Sequence, residues 1–534
     1  MNKVKSIVVL VSILCCSTAV FAQMPGGGPG GQGFGGGFGG QGFGGQGFGG
    51  GFGGQDFGGG FGGQGFGGGF GGQGFGGGFG GGFGGAPFGQ GSEEVSGNIP
   101  PVTIDVDSVK TGLPTITITI PENKEITSKS TWTTNCTLSI KDKDGKVLFS
   151  DQELEEKDRF VQVKGRGNST WSFAQKKPYT LKLKKKSALL DLPKNKRWHL
   201  MADFYDPSLL RNALAMQLGS RYSNLKWTPQ ARPVNLVVNG IYRGSYWLCE
   251  NIELKNGKVE GAYIVEIDSK AGSDEILFTS KRTRLPFNIK DPDLDATAPE
   301  RKYVQERVDT FEAVLYGADF LDPENGYKKY VDLESFADWY VINEIAKNYD
   351  SKFFTSVYFS LTEEGTFVMG PLWDYDLGFG NEFMNNAMMA PSQSDLFFGD
   401  APWYVQMLKD PEFVALVKKR FSVIYAAKKD LLAYIDATAE TLKTSADYNR
   451  QAWGSSNGMM GMGGMMGMGG GMMGMGGGMM GMGGGMMGMG GMFPGAQPAS
   501  TESSTYQSEV DSLKKWVSDR LDTLNRTLLG GPSV

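Results

Sequence analysis

The sequence predicts an α+β fold in two lobes with a cleft between them, and three observations indicate it. Alternating, β-branched runs are frequent between about residues 102 and 250, whereas helical periodicity dominates after residue 300. Two glycine-rich tracts take a large share of the 534 residues. Roughly two domains' worth of sequence therefore remains to bury a core.

The first 22 residues have the features of a secretory signal peptide. Lys3 and Lys5 precede an apolar run from Ile7 to Cys16, and Val20-Phe-Ala22 is a small-residue cleavage site. We therefore expect cleavage after Ala22 and an exported chain, in the periplasm, at the cell surface or outside the cell. Lipidation of Cys16 is the less favoured alternative, because the three residues before it make a poor lipobox.

Two low-complexity tracts are predicted to be disordered. Residues 23–92 repeat glycine and phenylalanine with almost no charge, and residues 456–498 repeat glycine and methionine. Glycine loses the most backbone entropy on folding, and isolated apolar side chains cannot build a core that offsets this loss. The first tract is either a flexible spacer or a self-associating segment that holds the protein at a surface or matrix. The second is a flexible insertion, with binding of soft metals by its thioethers as the weaker alternative.

Residues 93–160 are predicted to form a small β-rich module. Thr115–Ile120 and Thr137–Ile140 alternate polar and apolar side chains, and the turn Lys143–Lys146 closes a hairpin. Trp132 is interpreted as a core tryptophan, and an exposed platform for carbohydrate is the alternative.

Residues 161–455 are predicted to hold strands followed by helices. The strands include Tyr179–Leu183, Pro233–Val238 and Tyr242–Glu250, and Asn239-Gly240 gives a tight turn between the last two. The predicted helices are Ser208–Tyr222 with Asp206 as N-cap, Arg301–Leu315, Leu333–Lys347, and Pro411–Leu442 in one or two pieces.

Residues 499–534 are predicted to return to the same domain as a closing amphipathic helix. Apolar residues recur there at helical spacing, namely Val510, Leu513, Val517, Leu521, Leu524 and Leu528. The methionine-rich tract is therefore predicted to be an excursion from a folded domain.

Asp374 and Asp376 are the strongest candidates for chemistry. They lie in the segment Gly370–Asn381, inside a frame of glycines and aromatic residues. Because the chain has a single histidine, His199, a metal here would be held by oxygen, which favours Mg, Mn or Ca. A structural calcium turn is the alternative, although the segment lacks the glycine position and the final glutamate of an EF-hand loop.

A glycine turn precedes a lysine-bearing strand. Lys164-Gly-Arg-Gly-Asn-Ser-Thr-Trp171 places Gly165 and Gly167 on either side of Arg166, and Lys182 follows on the next strand. Backbone amides at such a turn approach phosphate oxygens closely, and a nearby lysine reaches them. The wider lysine cluster, Lys176–Lys186, is interpreted as a solvated strand face, so no nucleic-acid partner is expected.

Five blocks of this sequence, in order, resemble the CotH kinases, a family of atypical protein kinases named for a spore-coat protein. The similarity covers about residues 161–529. The blocks are Gly165-Arg-Gly-Asn-Ser-Thr170, Lys176-Lys-Pro-Tyr-Thr-Leu-Lys182, Leu210-Arg-Asn-Ala-Leu-Ala215, Gly240-Ile-Tyr-Arg-Gly-Ser-Tyr-Trp-Leu-Cys-Glu250 and Pro371-Leu-Trp-Asp-Tyr-Asp-Leu-Gly-Phe-Gly380. The resemblance implies a two-lobed, protein-kinase-like fold that uses ATP and Mg or Mn to phosphorylate Ser or Thr hydroxyls of proteins.

The resemblance also implies roles for individual residues. Lys182 would contact the nucleotide phosphates, and Glu250 would be its ion-pair partner. Asp350 would orient the acceptor hydroxyl, and Asp374 would bind the metal with Asp376 as second ligand or support. Arg166 and Arg211 would make further contacts to phosphate or between the lobes, with a structural ion pair as the alternative.

Two features leave a non-catalytic reading open. Ordinary protein kinases place an asparagine five residues after the catalytic acid, whereas counting from Asp350 reaches Thr355. Export also places the chain where ATP is scarce, and fold resemblance does not settle activity. The alternative is therefore a pseudokinase that acts as a surface or matrix structural protein. The two cysteines beyond the signal peptide, Cys136 and Cys249, are compatible with a disulfide or with two buried thiols.

Overall fold

The computed structural model describes residues 94–255, 257–272, 277–295, 297–381, 396–454 and 505–530. The expected signal peptide, the Gly/Phe tract and the Met/Gly tract lie outside these residues. Within the described residues the fold is α+β, as the sequence predicted. None of the helices among them has both the length and the apolar composition needed to cross a membrane.

Eight strands form the first sheet, and all but the third close into a barrel. They are β1 (Thr115–Thr119), β2 (Thr133–Lys141), β3 (Val147–Ser150), β4 (Val161–Gly165), β5 (Tyr179–Ser187), β6 (Asn195–Met201), β7 (Ala231–Val238) and β8 (Ile241–Glu250). Their order is β1-β7-β8-β6-β5-β4-β2-β3, and β1 also pairs with β2, which returns the sheet on itself. Closure pairs both sides of every barrel strand, so that within the described sheet only β3 keeps a free edge.

Alternate residues of each strand fill the barrel. Ile116, Leu181 and Trp198 are fully buried in one apolar cluster inside it. Residues on the opposite face of β5, β6 and β8 point outward, and His199 lies opposite Thr180 on one side and Cys249 on the other. The outward face of these three strands therefore meets the rest of the chain.

The strands of residues 93–160 belong to this barrel, so the expectation of a separate β-rich module before the main domain was wrong. Ile116 of β1 lies opposite Ile140 of β2 and Leu236 of β7, and β2 pairs with β4. The predicted turns at Lys143–Lys146 and Asn239-Gly240 do connect β2 to β3 and β7 to β8. Local patterns gave the hairpins, whereas the parallel pairing of β1 with β7 joins segments far apart in sequence.

A second sheet was not anticipated. Its strands are β9 (Tyr263–Ile267), β10 (Leu277–Thr279), β11 (Pro286–Asp291), β12 (Val357–Leu361) and β13 (Phe367–Met369), in the antiparallel order β10-β11-β9-β12-β13. All five residues of β12 are buried. A short strand buried on both faces shows no alternation, so its sequence cannot be told from a helix segment.

Helices pack against both sheets. They are α1 (Ser169–Phe173), α2 (Arg211–Tyr222), α3 (Pro299–Leu315), α4 (Leu333–Ala346), α5 (Tyr404–Met407), α6 (Pro411–Ala426), α7 (Lys428–Trp453) and α8 (Tyr506–Leu524). The predicted helix at residues 411–442 is thus two helices. The closing helix exists as α8, and the buried ion pair between Arg520 and Glu344, with nitrogen and oxygen 2.9 Å apart, joins it to α4.

Cys136 and Cys249, the two cysteines of the described residues, are buried free thiols. Cys136 belongs to the apolar cluster inside the barrel, and Cys249 belongs to the cluster on the outer side of β8. The barrel wall thus separates the two side chains. Of the two alternatives, a disulfide or two buried thiols, the structure shows two buried thiols.

Candidate functional site

Asp350 enters the site because α4 ends just before it. Lys347 caps α4 in the left-handed conformation (φ 45°), which turns the chain sharply into the following loop. Inside that loop the Asp350 carbonyl accepts hydrogen bonds from the amides of Phe354 and Thr355 at 3.2 and 3.0 Å. The half-buried Asp350 therefore lies on a turn that these two backbone hydrogen bonds stabilise.

Asp374 is held beside this loop. Its backbone has φ 63°, and its carbonyl accepts a hydrogen bond from Asn348 Nδ2 at 2.8 Å. Ser356 Oγ donates to Asp374 Oδ2 at 3.3 Å. A left-handed aspartate is strained by about 1–2 kcal/mol, and such strain is common at functional sites.

Asp376 lies deeper in the same segment. Burial raises the pKa of Asp376 well above its ordinary value, and the negative charges of Asp374, Asp203 and Asp350 raise it further. Burial also raises the pKa of Asp350 to about 6, with Asp374 raising it and Lys270 lowering it. The structure thus brings Asp350, Asp374 and Asp376 together in one acidic site.

Asp203 is a member of this site that the sequence analysis missed. It lies in the loop between β6 and α2, and Asn212 Nδ2 donates to its Oδ1 at 3.0 Å. Asn212 Oδ1 in turn accepts a hydrogen bond from the Tyr375 amide at 2.7 Å. Burial raises the pKa of Asp203 to about 7, and Asp206 is the next largest cause. Asp203 lies seven residues before the Leu210–Ala215 block, and no sequence motif marks it.

Arg166 supplies positive charge to the site. Its guanidinium lies 5.2 Å from the centre of the Trp373 ring, next to Asp374 in the chain. Burial lowers the pKa of His199 well below its ordinary value, and the charge of Arg166 lowers it further. Arg166 therefore reaches the outward face of β6, and no carboxylate of the described chain lies within ion-pair distance of it.

Lys182 and Glu250 do not form the expected ion pair. Lys182 lies opposite Arg197 across the β5–β6 pairing, whereas Glu250 lies opposite the next residue, Trp198, so the two side chains point to opposite faces of the sheet. Glu250 accepts hydrogen bonds from Asn195 Nδ2 and from the Gln230 amide, both at 3.1 Å. The predicted pairing was wrong.

Lys182 lies over Trp132 instead of reaching the acids. Its ammonium is 5.6 Å from the centre of the Trp132 ring, and that of Lys164 is 5.1 Å from the same ring. Trp132 is half-buried and lies in none of the apolar clusters of the described chain, so the interpretation as a core tryptophan was also wrong.

Arg211 is a structural residue. It is fully buried, forms an ion pair with Asp206, and donates from Nε to the Gly378 carbonyl at 3.0 Å. It therefore ties α2 to the segment that carries Asp374 and Asp376. The structure thus favours the structural ion pair over a contact to phosphate.

The glycine turn offers fewer free amides than expected. The Gly165 amide donates to the Ser128 carbonyl at 2.8 Å, and the Arg166 amide donates to the Pro178 carbonyl at 3.2 Å. A Cβ at position 165 would lie 2.3 Å from the buried Trp171 ring, so this glycine is required for packing. Gly167 is exposed with φ +87° and remains the candidate for a close approach to phosphate.

The donors of the acidic site fit a hard divalent cation. In the described ranges no three acidic, histidine or cysteine side chains already surround a common metal position. Asp203 Oδ2 and Asn348 Oδ1, however, are buried oxygens without a hydrogen-bond partner. Oxygen donors with uncompensated negative charge suit Mg²⁺ or Mn²⁺, which would relieve the repulsion among the carboxylates.

Two comparisons with known proteins agree. A family model described as "CotH kinase protein" matches residues 163–524, more than half of the chain. A curated relative, the "Inner spore coat protein H" of Bacillus subtilis (strain 168), is 24% identical over 200 residues. That alignment covers 36% of this chain and 52% of the relative, so the chain spans about half the length of that protein. The chain belongs to the CotH kinase protein family.

Proposed function

We propose that this chain is an exported, ATP-dependent protein kinase that transfers the γ-phosphoryl group of ATP to Ser or Thr hydroxyls of surface or matrix proteins. The observation that carries the proposal is the meeting of Asp350, Asp374 and Asp376 beside the guanidinium of Arg166. Phosphoryl transfer needs charge neutralisation on the transferred group and an acceptor oxygen held in line. Membership of the CotH kinase family supports the same class of reaction.

Asp374 and Asp376 would hold Mg²⁺ or Mn²⁺, and the unpaired oxygens of Asp203 and Asn348 would complete the oxygen-rich surroundings. When bound, the ion neutralises charge on the β- and γ-phosphates. Arg166 would bind phosphate oxygens in place of Lys182, because a planar guanidinium matches them in pairs. The amide of Gly167, an exposed residue, would approach the same phosphates.

The order of strands and helices after the glycine turn is similar to that of ordinary protein kinases, but the positions of the cations differ. Counted from β4, which leads into the glycine turn, β6 is the third strand and α2 the next helix. Ordinary protein kinases place the nucleotide lysine on their third strand and its glutamate partner on the following helix. Here β6 presents His199 to the site and α2 begins with Arg211. We infer that the cations of this site come from other segments.

Asp350 would orient the acceptor hydroxyl and accept its proton. It is half-buried. The negative charge of Asp374 repels that of Asp350, and no direct hydrogen bond joins the two side chains. A carboxylate with a pKa near 6 is ionised at neutral pH yet basic enough to receive a proton as the bond to phosphorus forms.

Export and the low-complexity tracts define the partners that we propose. The signal peptide would deliver the kinase across a membrane, and the Gly/Phe and Met/Gly tracts would hold it at a surface or matrix where its protein substrates lie. The formal net charge is −5, which does not favour a nucleic-acid partner. N-terminal sequencing of the exported protein tests this part, because cleavage after Ala22 leaves Gln23 first.

Transfer of labelled phosphate from ATP tests the activity. The mature chain would be incubated with Mg²⁺ or Mn²⁺ and a generic acceptor such as casein, with its own Ser and Thr residues as the second acceptor. Asp374→Asn should lower the rate at least about 100-fold, because the metal loses a ligand. Asp436→Asn is the matched control, since Asp436 lies far from the site in sequence and pairs with Lys514 at 2.7 Å.

Two results would contradict the proposal. One is a wild-type chain that binds no nucleotide with either metal, as measured with a fluorescent ATP analogue. The other is equal phosphate transfer by the wild type and by Asp374→Asn. Tight binding of ATP without transfer to any acceptor would instead assign the chain a nucleotide-binding role without catalysis.

A further inference from the structure

Lys270 lies on a segment that is tied to the loop of the proposed catalytic acid. It follows β9, and its amide donates to Asp268 Oδ1 at 2.9 Å. Thr355 Oγ1 donates to the same oxygen at 2.8 Å, and the Ser269 amide donates to the Phe354 carbonyl at 2.9 Å. The backbone at Lys270 and the loop that begins at Asp350 therefore form one hydrogen-bonded unit.

The Lys270 side chain crosses from this unit to the glycine turn of the barrel. Its ammonium lies 5.2 Å from the centre of the Phe354 ring and 3.4 Å from Ser169 Oγ, at the start of α1. Phe354 is 42% exposed, so this contact lies near the protein surface. The contact with Ser169 is long for a hydrogen bond and uses one of its three donors.

No carboxylate of the described residues lies within ion-pair distance of the Lys270 ammonium. Lys352, on the loop that begins at Asp350, offers a contrast, because its ammonium also lies over an aromatic ring, Phe397, yet pairs with Asp400 at 2.7 Å. The Lys270 ammonium is thus a half-buried cation between the loop that begins at Asp350 and the glycine turn, and it has donors that no described carboxylate uses. Such a cation is suited to bind an anionic group that lies between these two elements.

We propose that Lys270 is a catalytic residue of the transfer, whose ammonium contacts the γ-phosphoryl group while Asp350 orients the acceptor hydroxyl. This inference rests on the proposed function. The acceptor oxygen forms a bond to the γ-phosphorus as the bond from that phosphorus to the bridging oxygen breaks. The electron pair leaves with ADP, and the hydroxyl proton passes to the Asp350 carboxylate. Lys270 exchanges no atoms and stabilises the charge on the equatorial oxygens.

The test separates chemistry from binding. In Lys270→Met, kcat should fall about 100-fold, while the KM for ATP changes less than about threefold, because the contact is strongest in the transition state. Lys270→Arg should restore at least about tenfold of the loss, since it returns the charge. Lys352→Met is the matched control and should keep kcat within about twofold of the wild type.

Affinity for a non-hydrolysable ATP analogue and the melting temperature would be measured for each variant. If Lys270→Met does not fold, Lys270→Gln replaces it, because its amide keeps a polar donor without the charge. A wild-type rate in the uncharged variant, or a loss confined to nucleotide affinity, would overturn the role of Lys270 and leave the kinase proposal standing. A wild-type chain that transfers no phosphate would remove both.

Discussion

Asp376 is held where both its surroundings and its neighbours oppose ionisation. It is buried, and burial raises its pKa more than the nearby charges of Asp374 and Asp203 do. A group whose pKa is raised in the folded state contributes its full stabilisation at pH values below its unfolded pKa, about 3.8, and loses that contribution as the pH rises through its folded pKa. As the pH rises that contribution is lost, so at neutral pH this carboxylate destabilises the metal-free protein.

Asp376→Asn should therefore be more stable than the wild type in the absence of divalent ions. We expect a gain of about 0.5–2 kcal/mol at pH 7.5, measured by denaturant unfolding with a chelator present. The gain should shrink as the pH is lowered toward 4, because the wild-type carboxylate then becomes protonated. A variant that is less stable than the wild type at neutral pH would show that the charge is compensated in the folded chain.

Mg²⁺ or Mn²⁺ should reverse that order. Binding only to the folded state stabilises it by about 2.7 kcal/mol at a hundredfold excess over Kd. The wild type should therefore gain melting temperature with added metal, and Asp376→Asn should gain less. An equal gain in both proteins would place the metal away from Asp376.

Asp350 predicts a pH dependence for the transfer. Because burial and the charge of Asp374 raise its pKa to about 6, the ionised form that accepts a proton is lost below that value. We expect kcat/KM to be level above pH 7 and to fall about tenfold per pH unit well below 6. In Asp350→Asn the remaining activity should lack this acidic limb, whereas an unchanged limb would assign it to another group.

Sequence reasoning located the acids better than the cations. Asp374 and Asp376 share one short segment, and Asp350 directly follows a predicted helix, so local structure alone placed them on loops. Whether Lys182 faces Glu250 depends instead on the register of both strands against β6. A shift of one residue moves a side chain to the other face, and nothing in the sequence fixes that register.

At the scale of the element, the turn between β4 and α1 combines two glycines with different roles. Gly165 lies against the ring of Trp171, which is fully buried inside the barrel. A Cβ at Gly167 would make only ordinary van der Waals contacts, the nearest 3.8 Å from Pro178, and Gly167 has a positive φ. The sequence does not distinguish these two roles, because close packing against the Trp171 ring leaves no local signal.

Gly165→Ala should lower the free energy of unfolding by about 1–3 kcal/mol, since the new methyl group would overlap the Trp171 ring. Gly167→Ala should cost about 1 kcal/mol through backbone strain alone. Nucleotide affinity should respond in the opposite way, with Gly167→Ala raising the Kd for ATP and Gly165→Ala changing it little once folded. Denaturant unfolding and a fluorescent nucleotide measure the two effects, and equal nucleotide losses would return Gly165 to the phosphate site.

At the scale of the whole molecule, the fold class and the closing helix were predictable, whereas the closure of the barrel was not. Val510, Leu513 and Val517 repeat at helical spacing, which is a local property. The barrel instead closes through β1, whose partners β2 and β7 lie on either side of it and are separated by most of the barrel sequence. Local sequence therefore predicts that a segment forms a strand, whereas its pairing partners are determined by packing in the shared core.

The α8 helix makes the domain discontinuous in sequence, because it packs against α7 and α4 after the Met/Gly tract. Arg520 donates to the Glu344 carbonyl and to its carboxylate, which also accepts hydrogen bonds from the amides of Phe397 and Phe398. Removing one partner of a buried pair costs about 3–5 kcal/mol, since a buried charge is left uncompensated. The core of the domain therefore needs the chain on the far side of the tract.

Two deletions separate the contribution of α8 from that of the tract. A chain that ends at residue 504 should fail to give a cooperative thermal transition, because the apolar face of α8 and the partner of Glu344 are both missing. A chain in which a Gly/Ser linker of about 12 residues replaces residues 458–498 keeps α8 and should melt within a few degrees of the intact protein. Arg520→Met distinguishes the ion pair from the apolar face, and we expect it to fold with a lowered melting temperature. If the chain lacking α8 melts like the intact one, the helix is an appendage, and the folded domain ends with α7.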